Sequence, residues 1–174
     1  SVVRAYLENK LYGLPDQPVK LSFFGPMFRY DKPQAGRLRQ FHQIDIEVIG
    51  SANASSDAEI ITFAHEFLSE LGLADLKLFI NSVGCPKCRP AYQEKLKEYF
   101  RVREDQLCED CVDRLDRNPL RLLDCKEESC QVAGKDAPSL ADYLCEECEV
   151  HFGELKELLE AVHIPFEVNP RLVR

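Results

Sequence analysis

The run Phe24-Gly-Pro-Met-Phe-Arg29-Tyr-Asp31-Lys-Pro-Gln-Ala-Gly36-Arg37-Leu-Arg39-Gln-Phe41-His-Gln43-Ile-Asp-Ile-Glu47 holds two extended segments around one polar loop. From Arg39 to Ile49 the residues alternate. His42, Ile44, Ile46 and Val48 face one way, and Arg39, Phe41, Gln43, Asp45 and Glu47 face the other. Upstream, Leu21–Phe24 and Met27–Tyr30 form an apolar run interrupted by Gly25-Pro26. Residues 31–38 between them are polar and contain Pro33 and Gly36, the composition of a loop. The pattern predicts an antiparallel pair of strands.

The same run concentrates chemistry. Arg29 ends the first strand, and Arg37 and Arg39 open the second. Three guanidiniums around one hairpin, in a chain of net charge −8, mark an anion site, because arginine pairs bidentately with phosphate. Phe41 shares the polar face and offers a ring for stacking on a base. Gln43 and Glu47 lie on that face about 13 Å apart, a span suited to the two ends of a small polar ligand. His42 falls on the apolar face and is expected as a core histidine.

Outward from the hairpin, the chain has 174 residues, 45% apolar and 30% charged. That composition supports a folded core and excludes wholesale disorder. No apolar run is long enough for a membrane helix, and no signal peptide opens the chain. A cytoplasmic protein with no membrane partner is expected. The acidic balance excludes a protein that coats nucleic acid non-specifically. Val2, Val3, Tyr6, Leu7 and Leu11 have helical spacing. Ser56-Asp57-Ala58-Glu59 has the form of a capping box before the stripe Ile60, Ile61, Ala64, Phe67, Leu68, Leu71, which Gly72 ends. Leu76–Ile80 reads as a strand. Helical pieces are expected near 90–100, 105–117 and 138–144. Val150, Leu155, Leu158, Leu159 and Val162 give a further amphipathic helix, followed by a strand at Ile164–Val168. The fold class is α+β. The expected organisation is a core at residues 1–83, a cysteine-rich insertion at 84–149 and a return to the core at 150–174. The opening at Ser1 inside a helical pattern and the stop at Arg174 after a strand predict a piece of a longer protein.

All eight cysteines fall within the insertion, as Cys85-x2-Cys88, Cys108-x2-Cys111, Cys125-x4-Cys130 and Cys145-x2-Cys148. Two such pairs make one tetrahedral tetrathiolate site, so four pairs predict two structural zinc ions. An iron–sulfur cluster and disulfides are the competing readings. Cys111 and Cys125 are close in sequence, and closing their loop is inexpensive. Cys85/Cys88 and Cys145/Cys148 flank the neck. A nested arrangement follows: an outer site of Cys85, Cys88, Cys145 and Cys148, and an inner site of Cys108, Cys111, Cys125 and Cys130. Sequential and interleaved pairings also satisfy the count.

The Phe24–Glu47 run resembles motif 2 of the class II aminoacyl-tRNA synthetases, and in detail that of the histidyl-tRNA synthetase family. Asn169-Pro-Arg-Leu-Val-Arg174 resembles the run leading into that family's histidine-specific Arg-Gly-Leu-Asp-Tyr-Tyr motif. Asn118-Pro-Leu-Arg-Leu-Leu-Asp124 and Asp142-Tyr-Leu resemble its insertion domain. The resemblance covers essentially the whole chain. It implies an antiparallel-sheet catalytic core with a small, mainly helical, zinc-binding insertion.

The implied reaction is ATP-dependent activation of histidine to histidyl-adenylate, then transfer to tRNA(His). Arg29 would hold the ATP α-phosphate and Arg37 the outer phosphates, with Phe41 stacked on adenine. Asp31 stands where the family carries Glu for the adenine amino group. Gln43 would contact the amino group of histidine and Glu47 its imidazole. Arg174 matches the family's second α-phosphate arginine, so Arg29 and Arg174 are the expected catalytic pair. ATP would enter with Mg²⁺, and the full-length parent would be a homodimer. The family's Pro-Glu-x-Thr segment, motif 1, motif 3 and anticodon-binding domain are absent from the 174 residues, so the chain alone is expected to be inactive. Two other readings stand. One is a synthetase-like regulatory subunit of ATP phosphoribosyltransferase, without catalysis. The other is a zinc-structured interaction module, with any RNA contact coming from Arg89, Lys95, Arg101 and Arg103.

Overall fold

The computed structural model describes residues 2–173. The chain divides into two compact units, residues 1–60 and residues 61–174. The fold is mixed helix and sheet, with an antiparallel hairpin, as the α+β expectation requires.

In the first unit, helix α1 (Val2–Glu8) precedes strands β1 (Val19–Phe28) and β2 (Gln40–Ile49). The strands pair antiparallel from Val19↔Ile49 to Phe28↔Gln40. β1 is one continuous strand rather than two pieces. Pro26 sits within it opposite His42, which a two-stranded sheet with open edges tolerates. Gly25 makes room for the ring of Phe23, since a Cβ there would stand 2.9 Å from Phe23 Cζ. His42 is exposed beside Phe24, with ring centroids 6.2 Å apart, and is not a core histidine. Its face of the hairpin is open, and Phe24, Phe28 and Ile44 on it are exposed too.

Helix α2 (Ala54–Glu70) starts two residues before the expected cap at Ser56. Ser51 precedes the helix: its Oγ accepts from the Asn53 amide at 3.2 Å and meets Ser56 Oγ at 2.7 Å. At the far end Gly72 has φ +84°, with Gly72 N–H donating to Ser69 O and Leu73 N–H to Leu68 O. That is a Schellman ending, and it explains the glycine.

In the second unit, β3 (Leu78–Ile80) pairs in parallel with β4 (Phe166–Val168). The chain between them forms helices α3 (Arg89–Arg101), α4 (Glu109–Leu115), α5 (Glu128–Ala133) and α6 (Glu146–Ala161). Of the helix expected over 105–117, only Glu109–Leu115 is α-helical. The 138–144 segment is a 3₁₀ turn at Leu140–Tyr143, capped by Ser139. Tyr92, Leu96 and Phe100 recur every four residues along α3 and are fully buried. They pack with Leu115, Leu122, Leu140, Cys111 and Cys130.

Tyr92 donates its hydroxyl to Pro138 O at 2.9 Å, and burial pushes its phenol up to about 12. Between the ordinary tyrosine value near 10 and that value, the unfolded chain gives up a proton that the folded chain keeps. Stability therefore falls as pH rises through this window. Tyr92→Phe is expected to lose about 1 kcal/mol near neutral pH, from the unpaired carbonyl. It also removes the alkaline loss, so the gap to wild type narrows towards about pH 11. Paired thermal melts at the two pH values check it.

Candidate functional site

The hairpin register sets the first site. Cα partners share a face, so Leu21/Glu47, Phe23/Asp45, Gly25/Gln43 and Met27/Phe41 all point the same way. The Arg29 amide donates to Arg39 O at 2.9 Å, which extends this alternation one step into the loop. The loop then closes through a bridge between Gln34 and Arg37, with Gly36 at φ +72° in the turn.

Around this loop the three arginines are held but not sealed. Arg29 donates Nε to Leu38 O at 2.9 Å, and its guanidinium lies 4.4 Å from the Phe41 ring centroid. Asp31 Oδ2 sits 2.8 Å from Arg37 Nη2 and 3.7 Å from Arg29 Nε. Arg39 donates Nε to the Asp31 carbonyl at 3.1 Å. One carboxylate thus faces two guanidiniums, and the cluster keeps net positive charge. Gln43 donates to the Asp45 carboxylate. Glu47 is half-buried. The structure brings Arg29, Asp31, Arg37, Phe41, Gln43 and Glu47 to one hairpin face and its loop. Arg174 lies outside the described residues.

The sequence reading missed the apolar part of this site. A cavity of about 330 Å³ opens against the same face, lined by Val2 and Ala5 of α1 with Leu21, Phe23, Met27 and Asp45. Its size suits a small ligand. The missing signal was the register: Leu21, Phe23 and Met27 share the parity of Gln43 and Glu47 only once the strands are paired.

The second feature is the cysteines. The Sγ atoms of Cys85, Cys88, Cys145 and Cys148 lie within 4.8 Å of one another, and so do those of Cys108, Cys111, Cys125 and Cys130. In the first group Cys85 is 3.7 Å from both Cys88 and Cys145, and Cys88 is 3.9 Å from Cys148. In the second, Cys108 is 3.9 Å from Cys125. A tetrahedron with metal–sulfur bonds of about 2.3 Å has edges of about 3.8 Å. A disulfide needs about 2.0 Å.

Backbone amides support the thiolates. Lys87 N–H donates to Cys85 Sγ at 3.3 Å and Cys108 N–H to Cys130 Sγ at 3.1 Å. Amide donation from Cys88 and Lys87 brings the Cys85 thiol down to about 6. Burial, with the neighbouring thiols, pushes Cys148 up to about 12. Gly84 fits this site: its φ is +62°, and a Cβ would stand 2.9 Å from Cys88 Sγ.

The four basic residues expected to meet RNA are already engaged. Arg89 donates to the Val83 and Gly84 carbonyls, Lys95 pairs with Glu98, Arg101 with Asp116, and Arg103 stacks on Tyr99 at 3.9 Å. Among the described residues no helix is long and apolar enough to cross a membrane.

A family model described as Histidyl-tRNA synthetase matches residues 2–105. A histidine–tRNA ligase from Desulforudis audaxviator is 57% identical over 173 residues, which is 99% of this chain and 41% of that protein. One from Desulfitobacterium hafniense is 55% identical over the whole chain and 41% of its own length. One from Aquifex aeolicus is 52% identical over the whole chain and 43% of its length. The crystal structure of apo S. aureus histidyl-tRNA synthetase superimposes with a TM-score of 0.76 at 39% identity, covering 99% of this chain and 40% of that one. The chain therefore spans about two fifths of the length of these relatives.

Proposed function

The chain belongs to the histidyl-tRNA synthetase family, and from that membership we propose that it supplies the ATP- and histidine-binding hairpin of an enzyme that forms histidyl-adenylate and charges tRNA(His). The observation that carries this is the register placing Phe41, Gln43 and Glu47 on one face beneath the Arg29/Arg37 loop. The loop has the charge for a nucleoside triphosphate with its Mg²⁺. The face below it has a ring for the base and two polar groups for the amino acid. Arg29 takes the α-phosphate and Arg37 the outer phosphates, with Asp31 beside the adenine amino group. Phe41 stacks on the base once Arg29 swings from its ring to the phosphate. Gln43 meets the histidine amino group and Glu47 the imidazole, and Arg174 adds a second cation at the α-phosphate. Reaction proceeds by attack of the histidine carboxylate on the α-phosphorus, with positioning and charge stabilisation as the protein's main contributions.

Residues 84–149 form an insertion braced by two zinc ions, one per cysteine group. The sulfur spacings fit a single tetrahedral ion in each group, and they are too narrow for a cluster that spreads four thiolates over several irons. The zinc is structural, since four thiolates leave no open position for a substrate. The working enzyme is a cytoplasmic homodimer, and the 174 residues alone have little or no aminoacylation activity.

Glu47→Ala in the full-length enzyme tests the site. Loss of a charge-assisted hydrogen bond to the imidazole is expected to raise the KM for histidine about 10- to 100-fold while leaving the KM for ATP nearly unchanged. Equal changes in both constants, or none, would show that Glu47 does not face the amino acid.

A further inference from the structure

The two tetrathiolate groups differ in a way that their shared spacing hides. In the inner group Cys111 and Cys130 are 0% and 1% exposed and belong to the core of Tyr92, Leu96 and Phe100. Cys108 and Cys125 line an open groove, but the other two sulfurs lie behind packed side chains. In the outer group three of the four residues, Cys85, Cys145 and Cys148, are half-buried, and only Cys88 is buried. The outer group also spans the neck. Cys85 and Cys88 follow β3, and Cys145 and Cys148 sit at the start of α6, with the exposed pair Lys87–Glu147 bridging the same gap at 2.9 Å. Two of its short sulfur contacts cross that gap: Cys85–Cys145 at 3.7 Å and Cys88–Cys148 at 3.9 Å.

We propose that the outer tetrathiolate is a thiol-oxidation site, at which hydrogen peroxide releases the metal and joins Cys85 to Cys145 and Cys88 to Cys148 across the neck, while the inner site keeps its metal. This rests on the metal reading given above. Oxidation follows exposure, and exposure favours the outer group.

The Cys85 thiolate attacks a peroxide oxygen. The O–O bond breaks, and the leaving hydroxide takes a proton to give water and a sulfenic acid. The Cys145 thiolate then attacks that sulfur, forming the S–S bond and releasing a second hydroxide, which also takes a proton. Each disulfide consumes two thiolates, one peroxide and two protons, and yields two waters. Sulfur is oxidised by two electrons, the peroxide is reduced by two, and the zinc leaves as Zn²⁺. Because the bonds cross the neck, they replace the metal in holding the β3 exit to the α6 entry, and the oxidised chain stays folded.

The test is a hydrogen peroxide titration of the zinc-loaded chain. Released metal is followed with a chromogenic chelator, and cysteine pairing is mapped by differential alkylation and peptide mass spectrometry. Release is expected to reach a plateau at one zinc per chain after about two equivalents of peroxide, with 85–145 and 88–148 linked peptides. Linked or oxidised inner cysteines at that plateau, or links only within 85–88 and 145–148, would overturn the proposal. A chain that binds no zinc before peroxide is added would instead overturn the metal reading beneath it.

Discussion

Arg29→Ala in a full-length enzyme carrying this segment is expected to slow histidyl-adenylate formation by about 10²- to 10³-fold, the usual consequence of deleting one donor aimed at developing charge. In the proposed role the side chain swings from the Phe41 ring to the phosphate. Its Nε donates to Leu38 O and its guanidinium lies 4.4 Å from the Phe41 centroid, while Asp31 approaches at 3.7 Å without enclosing it. Displacement at the α-phosphorus shifts charge onto oxygens that this guanidinium can meet in a fork. The fold has little stake in the residue. Its side chain is 32% exposed, and an ion pair this open contributes within about 1 kcal/mol. The variant should therefore melt near the wild-type temperature with its metals in place. Arg29→Lys keeps the charge but loses the fork, and should fall between the two. Single-turnover adenylate formation is the measurement. A loss below about fivefold would remove Arg29 from the catalytic role.

The second large effect is structural. Cys111→Ser is expected to cut the metal content from two zinc ions per chain to one and to unfold the insertion. Cys111 is 0% exposed and packs with Leu115 and the α3 stripe Tyr92, Leu96 and Phe100. The surrounding elements are short, with seven residues in α4 and six in α5. Helices of that length do not stand alone in water, and a core this small needs a staple. Binding of a structural zinc contributes on the order of 10 kcal/mol to folding, comparable to the whole stability of a small domain. Loss of helical circular dichroism with metal at one per chain is the expected result. A Cys111→Ser chain that keeps two metals and its helical signal would contradict the structural role. Acid should act in the same direction. Metal binding requires deprotonated thiols, so affinity falls as pH falls.

The hairpin was legible because a half-buried strand writes its period into sequence. Arg39 to Glu47 alternate without a break, and the β1–β2 register has the antiparallel form that this alternation implies. The two cysteine groups are those expected if both ends of an inserted segment meet at its neck. What escaped depends on pairing and on layers. Phe23 and Met27 join Gln43 and Glu47 on one face only through the register, which no single strand encodes. His42 looked like a core residue by parity alone, yet its apolar face is open and the imidazole is exposed. Helix α2 begins before the capping box, and Ser51, outside that box, meets the first-turn Ser56 hydroxyl. Arg89, Lys95, Arg101 and Arg103 meet carbonyls, acids and one tyrosine ring in the fold, contacts that lie beyond what sequence spacing encodes.

Histidine-dependent ATP–pyrophosphate exchange by the full-length protein tests the proposed function most directly, because it requires the α-phosphate cation, the base-stacking ring and the amino-acid contacts of one hairpin to work together. The expected result is exchange that requires Mg²⁺ and histidine, does not proceed with other amino acids, and collapses in Arg29→Ala while histidine binding persists. Histidine binding by the wild-type protein with no exchange would contradict it, and would place this hairpin in a non-catalytic relative of the enzyme.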